Sequence, residues 1–143
     1  RTAIGVRGIR LADKDKVVSL IVAESDDPIL TATEKGYGKR TQLDEYRAQA
    51  RGGSGVISIK TSDRNGQVVG AIQVTDEDEM MLISDKGTLV RARAADVSII
   101  GRNTQGVTLI NIADDEALVS VAKIAETDDD ENDTEEAVLR SEE

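Results

Sequence analysis

A repeat of about fifty residues constrains the fold of this chain more than any other feature of the sequence. Three segments align in order: IGVRGIRLADKDKVVSLIV, SGVISIKTSDRNGQVVGAIQV and QGVTLINIADDEALVSVAKI. Their glycines, Gly5, Gly55 and Gly106, are 50 and 51 residues apart. The segments ILTATEKGYGKRTQLDEY and MMLISDKGTLVRARAADV also align, with Gly36 and Gly87 separated by 51 residues. A fixed period of this length is typical of folds built from similar, stacked units.

Each unit has the sequence pattern of short β-strands separated by turns. VISIKT and VVGAIQV alternate or run apolar for the length of a strand, and SDRNG lies between them. Asn65–Gly66 is expected to form a tight hairpin turn, because such a turn requires residues that accept positive φ angles. A further hairpin is expected around Gly36 and another around Gly87. Helix signals are weak, and they are confined to LDEYRAQA and DTEEAVLR.

Four strands in about fifty residues are typical of the blades of a β-propeller. The sequence therefore predicts an all-β fold, a propeller-like repeat of four-stranded blades with units starting near Gly5, Gly55 and Gly106. About two and a half units are present, so we expect a partial ring. The chain begins RTAIGV without an initiator methionine, which favours a fragment of a longer protein.

Composition excludes several classes of site. The chain has no cysteine and no histidine, which excludes disulfides, thiolate metal sites and Ser–His or Cys–His nucleophiles. It has two tyrosines and no Phe or Trp, so single-stranded nucleic acid is not expected to bind by aromatic stacking. No apolar run approaches the roughly 18 residues of a membrane-spanning helix. We therefore expect a cytoplasmic protein with no membrane partner, no metal site and no catalytic residue.

The net charge of −10 is concentrated at one end of the chain. Residues 126–143 contain ten acidic residues and one basic residue, a charge of −9, whereas residues 1–125 contain 18 acidic and 17 basic residues. Acidic blocks of this kind are usually disordered and solvated. The predicted organisation is thus a set of β-blades over residues 1–125 and an acidic disordered tail over residues 126–143.

Basic residues recur at equivalent points of the repeat, as a surface that follows the phosphates of a duplex requires. The candidates for phosphate contacts are Lys39, Arg40, Arg51, Arg91, Arg93 and Arg102. The alternative is that alternating arginines simply form the solvent face of an edge strand. GYGKRT lacks the spacing of a nucleotide-binding loop. DEDEM lacks the glycine and distant glutamate of a calcium loop, so it is expected to be a solvated turn.

Several long motifs in order resemble one known family. GVRGIRL, DKVVSLIV, GYGKRT, GVISIK, GTLVRAR and IIGRNTQGV resemble the C-terminal domain of the A subunit of bacterial DNA gyrase, and more loosely the matching domain of topoisomerase IV. The resemblance extends from residue 1 to about residue 125. It implies a β-pinwheel in which neighbouring four-stranded blades exchange a strand and duplex DNA wraps around a basic rim. The order of the motifs implies the last two to three of six blades.

The segment QARGGSG is similar to a box of seven residues, Gln-Arg-Arg-Gly-Gly-Lys-Gly, that the family has on its first blade. Ala50 and Ser54 replace two of its three basic residues. We interpret the segment as a degenerate copy at a blade junction whose backbone approaches a DNA phosphate, without the full box's role in closing the wrap. The matching residues are Gln49, Arg51, Gly52, Gly53 and Gly55.

The resemblance also implies the setting of the domain. The holoenzyme is an ATP-dependent type II topoisomerase that uses ATP and Mg²⁺ and introduces negative supercoils, whereas this chain carries neither catalytic residues nor cofactors. The implied partners are double-stranded DNA, the rest of the gyrase A subunit and the gyrase B subunit in an A2B2 complex, in the bacterial cytoplasm and associated with the nucleoid. The acidic tail is expected to modulate wrapping by occupying the basic rim.

Two other functions are compatible with a repeat of this length. A kelch-like propeller that binds other proteins has a period near fifty, and Gly52–Gly53 gives it slight support. Kelch units carry aromatic signatures, however, and this chain has no tryptophan. A catalytic propeller is disfavoured because histidine, cysteine and a coherent carboxylate pair are all lacking.

Overall fold

The computed structural model describes residues 4–125. The predicted acidic tail lies outside these residues, so the boundary between blades and tail stays a prediction. No helix within residues 4–125 has the length and apolar character needed to cross a membrane. The described strands are β1 (Ile29–Thr33), β2 (Tyr37–Thr41), β3 (Val68–Gln73), β4 (Glu79–Ser84), β5 (Leu89–Arg93), β6 (Val107–Thr108) and β7 (Leu118–Lys123), with short 3-10 turns at Leu43–Glu45 and Ala94–Asp96.

The two hairpins expected around the turn glycines are confirmed. Strand β1 pairs antiparallel with β2, and β4 pairs antiparallel with β5. Gly36 and Gly87 lie in the two turns with φ angles of 83° and 84°. Residues with a side chain rarely adopt this left-handed conformation, which explains why the repeat keeps glycine at both positions.

Strands are exchanged between the sequence repeats. One sheet has the order β3-β1-β2-β6 and the other has the order β5-β4-β7. The hairpin β1–β2 of the first unit is thus completed by β3 from the second unit and by β6 from the third. The hairpin β4–β5 is extended by β7 from the third unit. The predicted all-β fold is confirmed, and each sheet is assembled from more than one repeat.

The hydrophobic core lies between the two sheets. Strand β4 alternates between buried and half-buried residues, as a strand with one face in the core should. Leu30, Val74, Met80, Leu82 and Leu118 are at most 1 % exposed. Burial of each such side chain contributes about 1.5–3 kcal/mol, so these aliphatic residues stabilise the fold without aromatic side chains.

The start of β6 approaches β2 unusually closely because Gly106, just before β6, lies against Gly38 of β2. Gly38 pairs with Val107, and a Cβ atom on Gly38 would collide with the side chain of Leu109, just after β6. Gly106 has a φ of 80°, and a Cβ atom there would lie 2.6 Å from the carbonyl oxygen of Gly38. The start of the third unit is therefore packed backbone to backbone on the first unit's hairpin.

The predicted hairpin turn at Asn65–Gly66 is wrong, and so is the strand VISIKT before it. Gly66 has a positive φ but Asn65 does not, which excludes the two-residue turn. Asn65 is instead buried, and its Nδ2 donates hydrogen bonds to the carbonyl oxygens of Lys60 (2.8 Å) and Gln105 (3.1 Å). The side chain thus satisfies the backbone of a wider loop, for which the Asn-Gly pattern alone gives no signal.

Residues 17–22 of the first unit form no strand, although their sequence matches that of β3 and β7 in the later units. Val17 is 65 % exposed and Leu20 is 89 % exposed, whereas the equivalent Leu118 and Val121 in β7 are buried. The difference arises because β7 lies beside the hairpin β4–β5. No equivalent hairpin lies beside residues 17–22 within the described part of the chain.

Candidate nucleic-acid interface

The six basic residues predicted to contact DNA occupy three different environments. Lys39 and Arg40 are consecutive residues of β2, and both are buried. Arg91 and Arg93 are two apart on β5, and both are exposed. Arg51 and Arg102 lie in loops 51 residues apart. The environment decides the role of each pair, because only an accessible cation can bind a phosphate.

Lys39 is fully buried beneath the loop of residues 101–104. Its ammonium group donates hydrogen bonds to the carbonyl oxygen of Gly101 (2.6 Å), to the carbonyl oxygen of Arg102 and to Oγ1 of Thr104 (2.9 Å). Burial lowers the pKa of Lys39 to about 8; Glu45 opposes this effect and Arg102 adds to it. The charge of Lys39 therefore holds a loop in place and is not accessible to a phosphate.

Arg40 is also committed to internal contacts, and it is 5 % exposed. Its Nε donates to the carbonyl oxygen of Val97 at 2.8 Å, and its Nη1 forms an ion pair with Asp76 at 2.5 Å. These contacts fix the segment that follows β5. The buried positions of Lys39 and Arg40 do not support the predicted phosphate contacts.

Arg91 and Arg93 lie on one face of β5, because residues two apart in a strand point to the same side. Their side chains are 64 % and 69 % exposed. Each is paired with an acidic residue: Arg91 donates through Nε and Nη2 to Glu79, and Arg93 contacts Asp96 at 3.3 Å. Strand β5 pairs with β4 alone among residues 4–125. Arg91 and Arg93 are therefore accessible to a phosphate, and they are equally compatible with the alternative that they form the solvent face of an edge strand.

A groove lies between β5 and the start of the third unit. It encloses a volume of about 420 Å³. Arg91 and Arg93 line it together with the apolar residues Met80, Val97 and Leu109. The two guanidinium groups therefore border a concave surface and do not project from a flat sheet.

The loops that carry Arg51 and Arg102 are held by equivalent hydrogen bonds. The amide of Arg10 donates to the carbonyl oxygen of Gly53 at 2.8 Å, and the amide of Lys60, fifty residues later, donates to that of Thr104 at 2.7 Å. Arg51 is exposed, whereas Arg102 is half-buried and donates from Nη1 to the carbonyl oxygen of Ile57 at 2.7 Å. The repeat thus places both arginines on similar loops, with more freedom for Arg51.

The degenerate box forms a turn that packs on the first unit. Gly52 and Gly55 have φ angles of 79° and 80°. The amide of Gly52 donates to the carbonyl oxygen of Gly8 at 3.0 Å, and Gly53 forms a parallel bridge with Ile9. Gln49 and Arg51 line a shallow cavity of about 280 Å³ beside this turn. The glycines are thus required by the junction itself, and a phosphate contact there stays a prediction.

Sequence reasoning missed a cluster of charged residues around the first hairpin turn. Arg64 lies over the ring of Tyr37, with 5.1 Å from its guanidinium carbon to the ring centroid. A hydrogen bond from Arg64 lowers the pKa of the Tyr37 hydroxyl. Both residues line a cavity of about 740 Å³ with Lys35 and several acidic side chains. The available signal was the Lys-Gly pair within each hairpin turn, with Lys35 in the first unit and Lys86 in the second.

The acidic segment DEDEM contains the turn before β4, and three of its carboxylates are already paired while that of Glu77 is exposed. Asp76 pairs with Arg40, and Asp78 accepts from the amide of Thr75 (2.7 Å) and lies 3.3 Å from Nζ of Lys123. Burial alone raises the pKa of Asp78, but the contacts with Thr75 and Lys123 outweigh it, so the pKa is lowered. Within residues 4–125 no group of three potential metal ligands is present.

Comparison with known proteins gives one family throughout. The family described as the DNA gyrase C-terminal domain, beta-propeller, matches residues 1–24, 27–75 and 78–125. The A subunit of DNA gyrase from Salmonella typhimurium is 58 % identical over 131 residues, and that from Escherichia coli is 59 % identical over 128 residues. These matches cover 92 % and 90 % of this chain but only 15 % of each relative.

Solved structures agree with the sequence matches. The structure of a DNA gyrase A C-terminal domain superimposes with a TM-score of 0.79 at 33 % identity, covering 85 % of this chain and 41 % of that one. The C-terminal domain of a DNA topoisomerase IV superimposes with a TM-score of 0.76 at 24 % identity, over 84 % of this chain and 38 % of that one, and shows the same fold. With its exchanged strands and repeated hairpins, the chain belongs to the family of DNA gyrase C-terminal domains.

Proposed function

We propose that this chain is a non-catalytic DNA-wrapping module of the A subunit of a DNA gyrase. In this proposal it holds duplex DNA against basic side chains while the holoenzyme introduces negative supercoils. The observation that carries the proposal is the pair of exposed arginines on β5, Arg91 and Arg93, in a member of this family. ATP, Mg²⁺, the gyrase B subunit in an A2B2 complex and the bacterial nucleoid belong to the proposed setting.

The proposed interface consists of Arg51, Arg91, Arg93 and Arg102. Neutralisation of phosphates by such side chains favours duplex DNA of any sequence, and the DNA's own bendability decides which sequences wrap most easily. Lys39 and Arg40 take supporting roles. The first holds the loop that carries Arg102, and the second holds the segment that follows Arg93.

We also propose that the acidic tail competes with DNA for these arginines. Lys123, near the end of β7, pairs with Met80, and Met80 pairs with Ala92 between the two arginines of β5. Two strand spacings amount to about 10 Å, so the end of β7, from which the predicted tail continues, lies close to the β5 arginines. A charge of −9 on a tether of 18 residues has a high local concentration there.

A salt-titrated binding isotherm with a duplex of about 40 base pairs tests both proposals. Replacement of both β5 arginines (R91Q/R93Q) should weaken binding and reduce the slope of log K against log salt by about 1.8, since each lost phosphate contact removes about 0.9. The matched control K14Q/K16Q makes the same charge change on an exposed loop outside the proposed interface. Equal effects of the two double substitutions would refute the proposed interface.

The tail is tested by comparing the full chain with a chain that ends at residue 125. Removal of residues 126–143 should tighten DNA binding, most strongly at low salt where screening is weak. Unchanged affinity would refute competition by the tail. If neither chain binds duplex DNA at low salt, the wrapping proposal fails for this chain.

A further inference from the structure

We infer that Glu79 sets the DNA affinity of this surface by occupying the guanidinium group of Arg91. The inference rests on the proposed DNA binding and adds a residue that regulates it. Glu79 is the first residue of β4, and its side chain reaches across the hairpin to Arg91 on β5. A phosphate that binds Arg91 through Nε and Nη2 must therefore displace a carboxylate that belongs to the fold itself.

The geometry of this pair makes Glu79 a direct competitor of phosphate. Oε2 of Glu79 accepts a hydrogen bond from Nε of Arg91 at 2.6 Å and a second from Nη2. Nε and Nη2 form the edge of a guanidinium group that binds phosphate or carboxylate oxygens with two parallel hydrogen bonds. Glu79 is 34 % exposed and Arg91 is 64 % exposed, so the carboxylate is held by its surroundings while the arginine faces solvent.

The neighbouring pair on the same strand is looser. Arg93 contacts Asp96 at 3.3 and 3.4 Å, and the side chain of Asp96 is 63 % exposed. Asp96 should therefore yield to a phosphate more easily than Glu79. In the first unit the equivalent of Arg91 is Arg40, and it too is paired with an acidic residue, Asp76, but is buried. The arginine at this position of the repeat is thus paired with an acidic residue in both units, but it is exposed only in the second unit, as Arg91.

The expected effect is moderate, because exposed ion pairs are weak. Pairs of this kind contribute an amount that corresponds to about a two- to fivefold change in affinity. Glu79 would therefore tune binding without preventing it. The substitution E79Q keeps the size of the side chain but removes its charge, so Arg91 becomes available to phosphate while the hairpin keeps its shape.

Four variants of the full 143-residue chain test the inference, with the same duplex of about 40 base pairs at moderate salt. E79Q frees Arg91. E77Q is the matched control, because Glu77 is exposed in the adjacent turn and has no arginine partner among residues 4–125. R91Q removes the phosphate contact, and E79Q/R91Q shows whether Glu79 acts through Arg91. Thermal unfolding of each variant verifies that the fold is retained.

We expect E79Q to tighten binding about two- to fivefold and E77Q to change it by clearly less. In a chain that already carries R91Q, adding E79Q should change the DNA affinity by no more than E77Q does. Equal effects of E79Q and E77Q, or an E79Q effect that persists without Arg91, would overturn the inference and leave only a general effect of charge. Failure of R91Q to weaken binding, or lack of binding by the unaltered chain, refutes the proposed function instead.

Discussion

The buried ammonium group of Lys39 makes stability depend on pH in a predictable direction. Below about pH 8 Lys39 is charged in both the folded and the unfolded chain, and the folded state carries the full cost of burying the charge. Between about pH 8 and the ordinary pKa of 10.5, the unfolded chain binds more protons than the folded one. The free energy of unfolding should therefore rise with pH in this window.

The size of this effect follows from the lowered pKa. The difference between 10.5 and about 8 corresponds to at most about 3–4 kcal/mol, since one pKa unit equals about 1.4 kcal/mol. A single loop covers the ammonium group, so solvent screens part of the cost and we expect on the order of 1–2 kcal/mol. Replacement by the apolar side chain in K39M should remove this pH dependence, whatever its effect on stability at neutral pH.

Urea unfolding followed by far-UV circular dichroism measures the effect at pH 7, 8, 9 and 10. The unaltered chain should gain stability relative to K39M between pH 8 and pH 10. K16M is the matched control: Lys16 is exposed in a loop, so this variant should keep the pH profile of the unaltered chain. Parallel profiles for K39M and the unaltered chain would show that Lys39 is not buried as a charge, and the reasoning would fail.

Three further predictions concern the fold. L82A should lower the free energy of unfolding by about 2–5 kcal/mol because Leu82 is fully buried, and a loss below about 1 kcal/mol in urea would contradict a core between the two sheets. G106A should destabilise the chain by at least about 2 kcal/mol, because residue 106 has a positive φ and its new Cβ would meet the carbonyl oxygen of Gly38. G87A is the control: it has a similar φ but open space around the Cβ, so it measures the backbone strain without the steric clash. D78N should reduce the loss of stability below about pH 4, because the lowered pKa of Asp78 gives stability that disappears as the carboxylate is protonated; an acid titration that matches the unaltered chain would refute this role.

Local sequence patterns were sufficient to predict the hairpins. Gly36 and Gly87 recur with the period of the repeat, and β4 and β5 alternate with period two, so for the second hairpin turn chemistry and burial point to the same structure. The equivalent positions of Arg51 and Arg102 follow from the same repeat. These features depend on residues close together in the chain, which is why the sequence alone was enough.

The burial of Lys39 and Arg40 was beyond such reasoning. Both belong to β2, whose outer edge is covered by residues about sixty positions later, as the hydrogen bond from the Arg40 amide to the carbonyl oxygen of Ser98 shows. Arg91 has the same place in the repeat and is exposed. Whether a basic residue faces solvent thus depends on which later unit packs over it, and a single unit's pattern contains no such information.

The exchange of strands between units has a consequence for how the chain can fold and be altered. In most repeat proteins a unit contacts only its neighbours, and a terminal unit can be removed without loss of the others. Here Gly38 pairs with Val107 and Ile29 pairs with Gln73, so the sheet around the hairpin β1–β2 is completed only by residues much later in the chain. Folding should be slow and all-or-none, because distant segments must meet before any sheet is complete. Deletion of one repeat would therefore leave strands of the two other repeats without their pairing partners.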